Sequence, residues 1–357
     1  MTVSDKYKEK LSKYNHLVDI RQKLWNGDGK SRVSIMVGAG FSRNAMKLDE
    51  SIQSMALWKD LKEKLIEKLG NSEKYLKLDV LELGNIYEKE FGIINLEKLL
   101  KESIPDANYE PGEIHKKLLE LPFADVYTTN YDTLLERAAE TVYERNYQTI
   151  YDIHDIPGSI SPRIVKLHGS FPSHRPFVFS KKDYDNYPTE SAPFVNMVQQ
   201  SIMETTLVLI GFSGDDPNFK KWIEWVTKNL GNHKQKIYLL GINEDEENVF
   251  FEDNLITNIN FKDVYMDNSD SYSIFFNDLF DFLKENPNED QRKWPYKKYD
   301  YINNSLENTT DIEEEFNKVI KILEHNRITY PGWLILPSRL LQRGYMHDII
   351  SDYQFFF

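Results

Sequence analysis

Five short apolar runs, each of which stops abruptly at glycine or at polar residues, constrain the fold of this chain more than any other feature. They lie at about 32–38, 123–129, 163–167, 206–210 and 236–240. Their length and their valine and isoleucine content are typical of buried β-strands, and helical patterns separate them. Strands that alternate with helices predict a mostly parallel sheet with helices packed on both faces.

This pattern places the chain in the α/β class, with a Rossmann-like, doubly wound sheet, inserted helices and a C-terminal helical extension. Apolar residues three or four apart predict an amphipathic helix at 5–26, which would cover the domain or a partner subunit. The other helices are expected at about 57–69, in two segments of 74–104 that break near Gly92, at 112–120, at 133–142 with Asp132 or Thr133 as N-cap, after Pro217, at 274–283 and at 311–325.

A stretch rich in proline and asparagine at 285–295 predicts a linker. We therefore expect a catalytic domain over 1–286, and over 287–357 the linker and the start of a helical sensor or oligomerisation region. The tail is strongly apolar at 330–338 and 355–357. It predicts either contact within a homo-oligomer, for which a tetramer is one option, or a chain that forms the front part of a longer protein.

Charge and composition limit the classes of partner. The formal net charge of -13 would repel a polyphosphate backbone, so we expect no direct binding of nucleic acid. No apolar run is long enough to span a bilayer, and the N-terminus lacks an apolar signal core, so we expect no membrane partner. The absence of cysteine excludes disulfides and thiolate zinc sites and fits the cytoplasm.

In a doubly wound sheet, the residues just beyond the carboxyl ends of the strands meet at one crevice. Here that crevice would collect Gly38, Gly40, Asn130, Asp132, His168, Ser213 and Asp215 or Asp216. Glycines after a buried strand let the backbone approach a ligand closely, which predicts a nucleotide-phosphate cradle. A strand–glycine–helix junction without any ligand is the alternative.

Two common nucleotide motifs do not fit. The dinucleotide fingerprint needs a third glycine where this chain has Arg43, and the P-loop needs Gly-Lys-Ser/Thr after the first strand. His168 is a candidate general base, because imidazole titrates near neutral pH, or else a histidine that only hydrogen-bonds the backbone. The pair Asp215 and Asp216 suits a helix cap better than magnesium, and we expect no metal.

Four motifs in sequence order resemble those of the sirtuin superfamily. The family's signatures are Gly-Ala-Gly-x-Ser, Thr-Gln-Asn-x-Asp, a catalytic His-Gly, and a later Gly-Thr-Ser or Gly-Tyr-Ser type of turn. The resemblance covers about residues 31–242. The matching segments are Gly38-Ala39-Gly40-Phe41-Ser42, Thr128-Thr129-Asn130-Tyr131-Asp132, Lys166-Leu167-His168-Gly169 and Gly211-Phe212-Ser213.

The resemblance implies NAD+ as the substrate and a role for each matching position. Asn130 would hold the nicotinamide ribose or the attacking water, Asp132 would support the nicotinamide side, and His168 would be the base. The family breaks the bond from nicotinamide to ribose through an oxocarbenium-like state. The residues implied to bind the rest of NAD are Gly38, Ala39, Gly40, Phe41, Ser42, Gly211, Ser213 and Asp215.

Departures from the family pattern narrow the activity. Protein-deacylating sirtuins carry a zinc module with four cysteines and a Gly-Ile-Pro-Asp-Phe-Arg segment, whereas this chain has no cysteine and a different sequence at 42–49. Thr129 also replaces the family glutamine.

The chain resembles most closely the sirtuin-like domain of bacterial anti-phage proteins, which hydrolyse NAD in abortive infection when a fused or separate sensor responds. We expect an NAD+ glycohydrolase that forms ADP-ribose and nicotinamide. A non-catalytic module that binds NAD or ADP-ribose is the alternative, and an NAD-dependent protein deacylase is a third option.

Overall fold

A computed structural model describes residues 2–25, 31–143, 145–212, 216–242, 251, 253–265 and 271–285. Within them, seven strands form one parallel sheet in the order β3-β4-β2-β1-β5-β6-β7. On one side of β1 lie β2, β4 and β3, and after β4 the chain crosses to the other side of β1 and forms β5, β6 and β7 in order, which confirms the predicted doubly wound α/β class. The strands are β1 (Val33–Val37), β2 (Asp125–Thr128), β3 (Gln148–Ile150), β4 (Arg163–Lys166), β5 (Thr206–Ile210), β6 (Ile237–Gly241) and β7 (Ile256–Asn260).

Helices surround this sheet, and two-residue strands at Met46–Lys47 and Tyr109–Glu110 form a small separate pair. The helices are α1 (Val3–Lys10), α2 (Tyr14–Leu24), α3 (Ala39–Ser42), α4 (Trp58–Lys68), α5 (Glu73–Leu76), α6 (Val80–Phe91), α7 (Ile93–Ser103), α8 (Glu113–Glu120), α9 (Leu134–Ala139), α10 (Lys181–Glu190), α11 (Ala192–Glu204), α12 (Pro217–Leu230), α13 (Lys262–Tyr265) and α14 (Ser271–Lys284).

The strands bury both of their faces, and this explains their continuous apolar sequences. In β1, Ile35 packs in the core beneath α1, α2, α8 and α14, whereas the adjacent Met36 packs in the core beneath α10, α11 and α12. Val208 and Leu209 of β5 divide in the same way. Successive side chains of a strand point to opposite faces, so a strand covered on both sides needs apolar residues at every position.

The helices α4, α6 and α7 are inserted between β1 and β2 and form a third core. That core also contains Tyr131, Phe171, Phe177 and Phe179, which lie beyond the ends of β2 and β4. Gly92 has φ +85° and separates α6 from α7, as predicted from the sequence. The insertion therefore packs against the edge of the sheet at which the predicted site residues lie.

The N-terminal segment differs from its prediction as one helix. It forms two helices, because Leu11 is extended with φ -95° and ψ 109°. The apolar spacing continues across the break, since Tyr7 and Leu17 enter the same core, and periodicity alone could not reveal it. Both helices pack on the domain itself: the Tyr7 ring lies 5.5 Å from the ring of Phe282.

Four further differences concern elements of the main domain. The apolar runs predict five strands and do not include β3 and β7, which are the two outermost strands of the sheet and are half-exposed. The helical patterns also leave α10 and α11 without assignment, although Ser180 and Asp183 form a capping box at the start of α10.

Two predicted elements lie outside the described residues: the linker at 285–295, of which only residue 285 is described, and the helix at 311–325. The division into 1–286 and 287–357 therefore stays a prediction. In the part of the chain that the structure describes, no helix combines the length and the apolar character needed to cross a membrane.

Candidate active site

The carboxyl ends of β4, β2, β1 and β5 lie side by side along one edge of the sheet. Thr128 of β2 pairs with Lys166 of β4, and Asn130 and His168 each follow two residues later. These two side chains therefore belong to the ends of neighbouring strands. The glycine turns follow β1 and β5, which pair along their whole length. The topology thus brings the four sequence motifs to one edge.

The turns after β1 and β5 pack backbone against backbone. The N–H of Gly40 donates to the carbonyl of Gly211 at 2.9 Å, and a Cβ on Gly38 would lie 2.4 Å from that same oxygen. Gly211 has φ +58°, and a Cβ there would lie 2.3 Å from the backbone nitrogen of Phe41. This close approach requires glycine at 38 and 211 without any ligand, whereas a Cβ on Gly40 would lie 3.0 Å from the carbonyl oxygen of Gly211 and would need only a small shift. Ala39 and Gly40 are the partly exposed residues of the first turn, and only the single helical turn α3 follows it.

Phe41 was predicted to contact NAD, but its side chain is buried in the core below the turn. Its ring lies 4.8 Å from the ring of His115 and 5.0 Å from that of Phe276. Only the backbone of Phe41 is placed at the strand-end edge, where its N–H donates to the carbonyl of Gly38 at 3.0 Å.

Asn130, Ser42 and Asp132 form a buried chain of hydrogen bonds across the ends of β1 and β2. Nδ2 of Asn130 donates to Oγ of Ser42 at 2.9 Å, and that hydroxyl donates to Oδ2 of Asp132 at 2.8 Å. An ionised carboxylate can only accept hydrogen bonds, so Ser42 donates its single hydroxyl proton to Asp132 and accepts from Asn130. The chain therefore turns the amide of Asn130 so that its Oδ1 is the atom left to accept a hydrogen bond elsewhere.

The carboxyl group of Asp132 is fully enclosed. Burial raises its pKa, and the charge of Lys166 and the hydrogen bond from Ser42 lower it. Its Oδ1 accepts from the N–H of Leu134 at 3.3 Å. Thr133 occupies the N-cap position of α9 but makes no side-chain cap hydrogen bond, and the side chain that bonds the first N–H of the helix is that of Asp132.

His168 lies in an aromatic enclosure and is 1% exposed. Its ring makes edge contacts with Tyr184 and Tyr187 of α10, at 5.3 Å and 5.4 Å between ring centres. Burial lowers the pKa of His168, while Asp216 and Asp183 raise it. The imidazole is therefore held in its neutral form near neutral pH, which is the form a general base requires.

Two residues from the start of α12 face the two ring nitrogens of His168. Nδ2 of Asn218 lies 3.4 Å from Nε2, and Oδ2 of Asp216 lies 3.9 Å from Nδ1. An amide N–H donating to Nε2 leaves the imidazole proton on Nδ1, on the side of the Asp216 carboxylate. Oδ1 of Asp216 caps α12 by accepting from the N–H groups of Asn218 and Phe219 at 2.9 Å and 3.0 Å. The predicted helix cap is confirmed.

Ser213 and Asp215, both predicted to bind NAD, lie outside the described residues. Sequence reasoning missed Asn218, Tyr184 and Tyr187 as neighbours of His168. A polar residue directly after Pro217 was a usable signal for Asn218, but nothing in the sequence pairs α10 with this strand end. Among the residues that the structure describes, no group of three or more His, Asp or Glu side chains could hold a metal ion.

The fold and the residues at the carboxyl ends of the strands define the class of protein. It is a doubly wound α/β protein with a buried Asn–Ser–Asp hydrogen-bond chain and a neutral histidine at the ends of adjacent strands. A family model described as "SIR2-like domain" matches residues 124–259, which include β2 through most of β7. Residues 124–259 are therefore similar to a SIR2-like domain, in agreement with the three sirtuin-like motifs that lie in this range.

Curated relatives agree with this family. The chain is 28% identical over 215 residues to the "NAD(+) hydrolase ThsA" of Acinetobacter baumannii, covering 59% of this chain and 42% of that protein. It is 25% identical over 301 residues to "Defense-associated sirtuin 2" of Bacillus subtilis, covering 79% and 29%. The chain thus spans less than half the length of these relatives. A crystal structure of a Sir2 homolog–NAD complex aligns at 11% identity over 75% of this chain and 94% of that one, with a TM-score of 0.40.

Proposed function

We propose that this chain is an NAD+ glycohydrolase, which converts NAD+ and water to ADP-ribose and nicotinamide. The observation that carries the proposal is the directed chain from Asn130 through Ser42 to Asp132, next to a neutral histidine on the neighbouring strand. The relatives named as NAD(+) hydrolases support the same activity.

Asn130 orients the nucleophile. Its Oδ1, left free to accept by the bond from Nδ2 to Ser42, accepts a proton of the attacking water or of a ribose hydroxyl. Asp132 keeps this amide in place through Ser42 and, as a carboxylate, stabilises the positive charge that develops on the ribose as the bond to nicotinamide breaks.

His168 removes the proton. Its Nε2 takes a proton from the water whose oxygen bonds to the ribose carbon, and the electron pair of the broken bond leaves with nicotinamide. The imidazolium that results has its Nδ1 proton directed at Asp216. The contact between Nε2 and Asn218 is long for a hydrogen bond at 3.4 Å, so a substrate group can replace it at low cost.

The partly exposed backbone of Ala39, Gly40 and Gly211 is the part of the edge that a diphosphate would reach. Ser213 and Asp215 belong to this proposal on the strength of their motif alone. The chemistry described for these side chains needs no metal ion.

The test is release of nicotinamide from NAD+, measured by liquid chromatography. Asn130→Ala and His168→Ala should each reduce turnover by roughly 10²-fold or more. Asn232→Ala and His233→Ala are matched controls. Both residues are exposed and lie shortly before β6, at the amino ends of the strands, whereas the proposed site lies at their carboxyl ends. Binding of NAD+ by a wild-type protein that never releases nicotinamide would favour the non-catalytic binding module. Release that depends on an acylated lysine peptide would favour the deacylase.

The wider setting is also a proposal. By analogy with the defence-associated relative, NAD+ depletion would serve anti-phage abortive infection in the cytoplasm, triggered by a fused or separate sensor. A homo-oligomer, for which a tetramer is one option, is also proposed. The N-terminal helices α1 and α2 do not support it, because they pack on their own domain. Exposed apolar side chains such as Ile94 at 79% still support it, and light scattering after size-exclusion chromatography measures the subunit number.

A further inference from the structure

A buried lysine lies directly beneath the proposed site and has no part in the reaction described above. Lys166 is the last residue of β4, two positions before His168, and is 1% exposed. A lysine in the middle of an apolar strand sequence is costly to bury unless its ammonium is paired. Its partners are therefore expected to be specific.

Lys166 joins three segments that frame the site. Its Nζ donates to the backbone carbonyl of Asp132 and lies 3.0 Å from Oε1 of Glu136 on α9. Oγ of Ser170, which follows β4, donates to the same Oε1 at 3.2 Å. The ammonium thus connects the turn after β2, the first turns of α9 and the loop after β4. Oε2 of Glu136 is buried with no partner among the described atoms, so the carboxylate depends on Lys166 for its compensation.

This arrangement bears on the hydrogen-bond chain of the site. An ionised Asp132 can only accept from Ser42. Because Oδ1 of Asp132 accepts from the N–H of Leu134, an added proton is favoured on Oδ2, from which it could be donated to Ser42, and Ser42 could then donate to Oδ1 of Asn130. The amide of Asn130 would then present Nδ2 instead of Oδ1 to the substrate. The direction of the whole chain therefore depends on one proton at Asp132.

We propose that Lys166 is a positioning residue: by holding the carbonyl of Asp132 and the carboxylate of Glu136, it fixes the turn after β2 and so orients Asn130 toward the substrate. This inference rests on the proposed function.

The charged groups around Asp132 come from three elements. Lys166 of β4 lowers the pKa of Asp132, whereas Glu136 of α9 and Asp106, which pairs with Arg137 at 3.1 Å, raise it. The effect of Lys166 exceeds that of Glu136. Removal of both therefore leaves the pKa of Asp132 higher than before. Activity that requires ionised Asp132 is lost as pH falls through this pKa, so the acidic limb of the pH profile should move to higher pH.

The decisive variant is Lys166→Met with Glu136→Gln, which removes one positive and one negative charge and leaves no unpaired carboxylate. If Lys166 only compensates Glu136, this variant should behave as wild type. The positioning role predicts a folded protein whose kcat for nicotinamide release falls about 10- to 100-fold, with an acidic limb moved to higher pH. Lys234→Met is the matched control, because this half-buried lysine bonds Thr227 and the Asn254 carbonyl at the opposite edge of the sheet.

A second readout is independent of activity. In protein labelled with ¹³C at the aspartate carboxyl, with the Asp132 signal assigned by Asp132→Asn, the pKa of Asp132 should be higher in the double variant than in wild type. An unchanged Asp132 titration, or wild-type kcat and pH profile in the double variant, would overturn the proposal. If wild type itself releases no nicotinamide, the proposed function fails, and the titration alone decides whether Lys166 keeps Asp132 ionised.

Discussion

Gly211→Ala tests whether the close approach of the two glycine turns holds the site together. Two costs are expected. The backbone at φ +58° is unfavourable for a residue with a Cβ by about 1–2 kcal/mol. The new Cβ would also lie 2.3 Å from the nitrogen of Phe41 and 2.8 Å from its Cβ, so the turn at 38–42 must move, at a further cost of about 1–3 kcal/mol.

The matched control is Gly70→Ala, at φ +91°, where a new Cβ would meet no atom within 4 Å. It should lose only the backbone contribution, about 1 kcal/mol. Urea unfolding of both variants measures the free energy of unfolding. Gly211→Ala should lose about 2–5 kcal/mol, the sum of the two costs. Because Ser42 ends the displaced turn, nicotinamide release by the folded fraction should fall as well. Equal destabilisation of the two variants, within about 0.5 kcal/mol, would refute the reasoning.

Three further predictions follow from single side chains. Ser42→Ala leaves Asn130 and Asp132 without their shared hydrogen-bond partner, so the free energy of unfolding should fall by about 1–3 kcal/mol. Turnover of NAD+ should also drop, and unchanged turnover would contradict the proposed orientation of Asn130 by Ser42. Burial lowers the pKa of His115 to about 4 from 6.5, so its neutral form stabilises the fold by about 3 kcal/mol above pH 6.5, and this contribution is lost as pH falls toward 4; urea unfolding of His115→Gln at pH 7 and 4.5 should show a smaller pH dependence than wild type. Asp216→Ala removes the α12 cap, at about 1–2 kcal/mol, and lowers the pKa of His168 further, which ¹⁵N imidazole titration measures; an unchanged titration would contradict the role of Asp216.

The central strands and the edge on which the motifs meet were predictable, because a strand buried on both faces must be apolar throughout and must end where the chain turns. β3 and β7 were not, since an edge strand that is half-exposed needs apolar residues at only some positions. The two N-terminal helices were also read as one, because both bury residues in one core and the break at Leu11 leaves the spacing intact.

At the site, the sequence placed Asn130, Asp132 and His168 at strand ends, because Asn130 and His168 directly follow apolar runs and Asp132 comes two residues after Asn130. It could not supply their partners. Tyr184 and Tyr187 reach His168 from a helix that no motif marks, and the pairing of Lys166 with Glu136 depends on how α9 packs against β4. The motif that contains Phe41 predicts contact with NAD but could not show that the side chain packs in the core, which leaves only the backbone of Phe41 for such a contact.

The most direct test of the central claim is the mass of the product formed from NAD+ in ¹⁸O-labelled water. Hydrolysis oriented by Asn130 and His168 predicts equal amounts of nicotinamide and ADP-ribose, with one ¹⁸O atom in each ADP-ribose formed. NAD+ that stays intact, or a cyclic product without ¹⁸O, would contradict it.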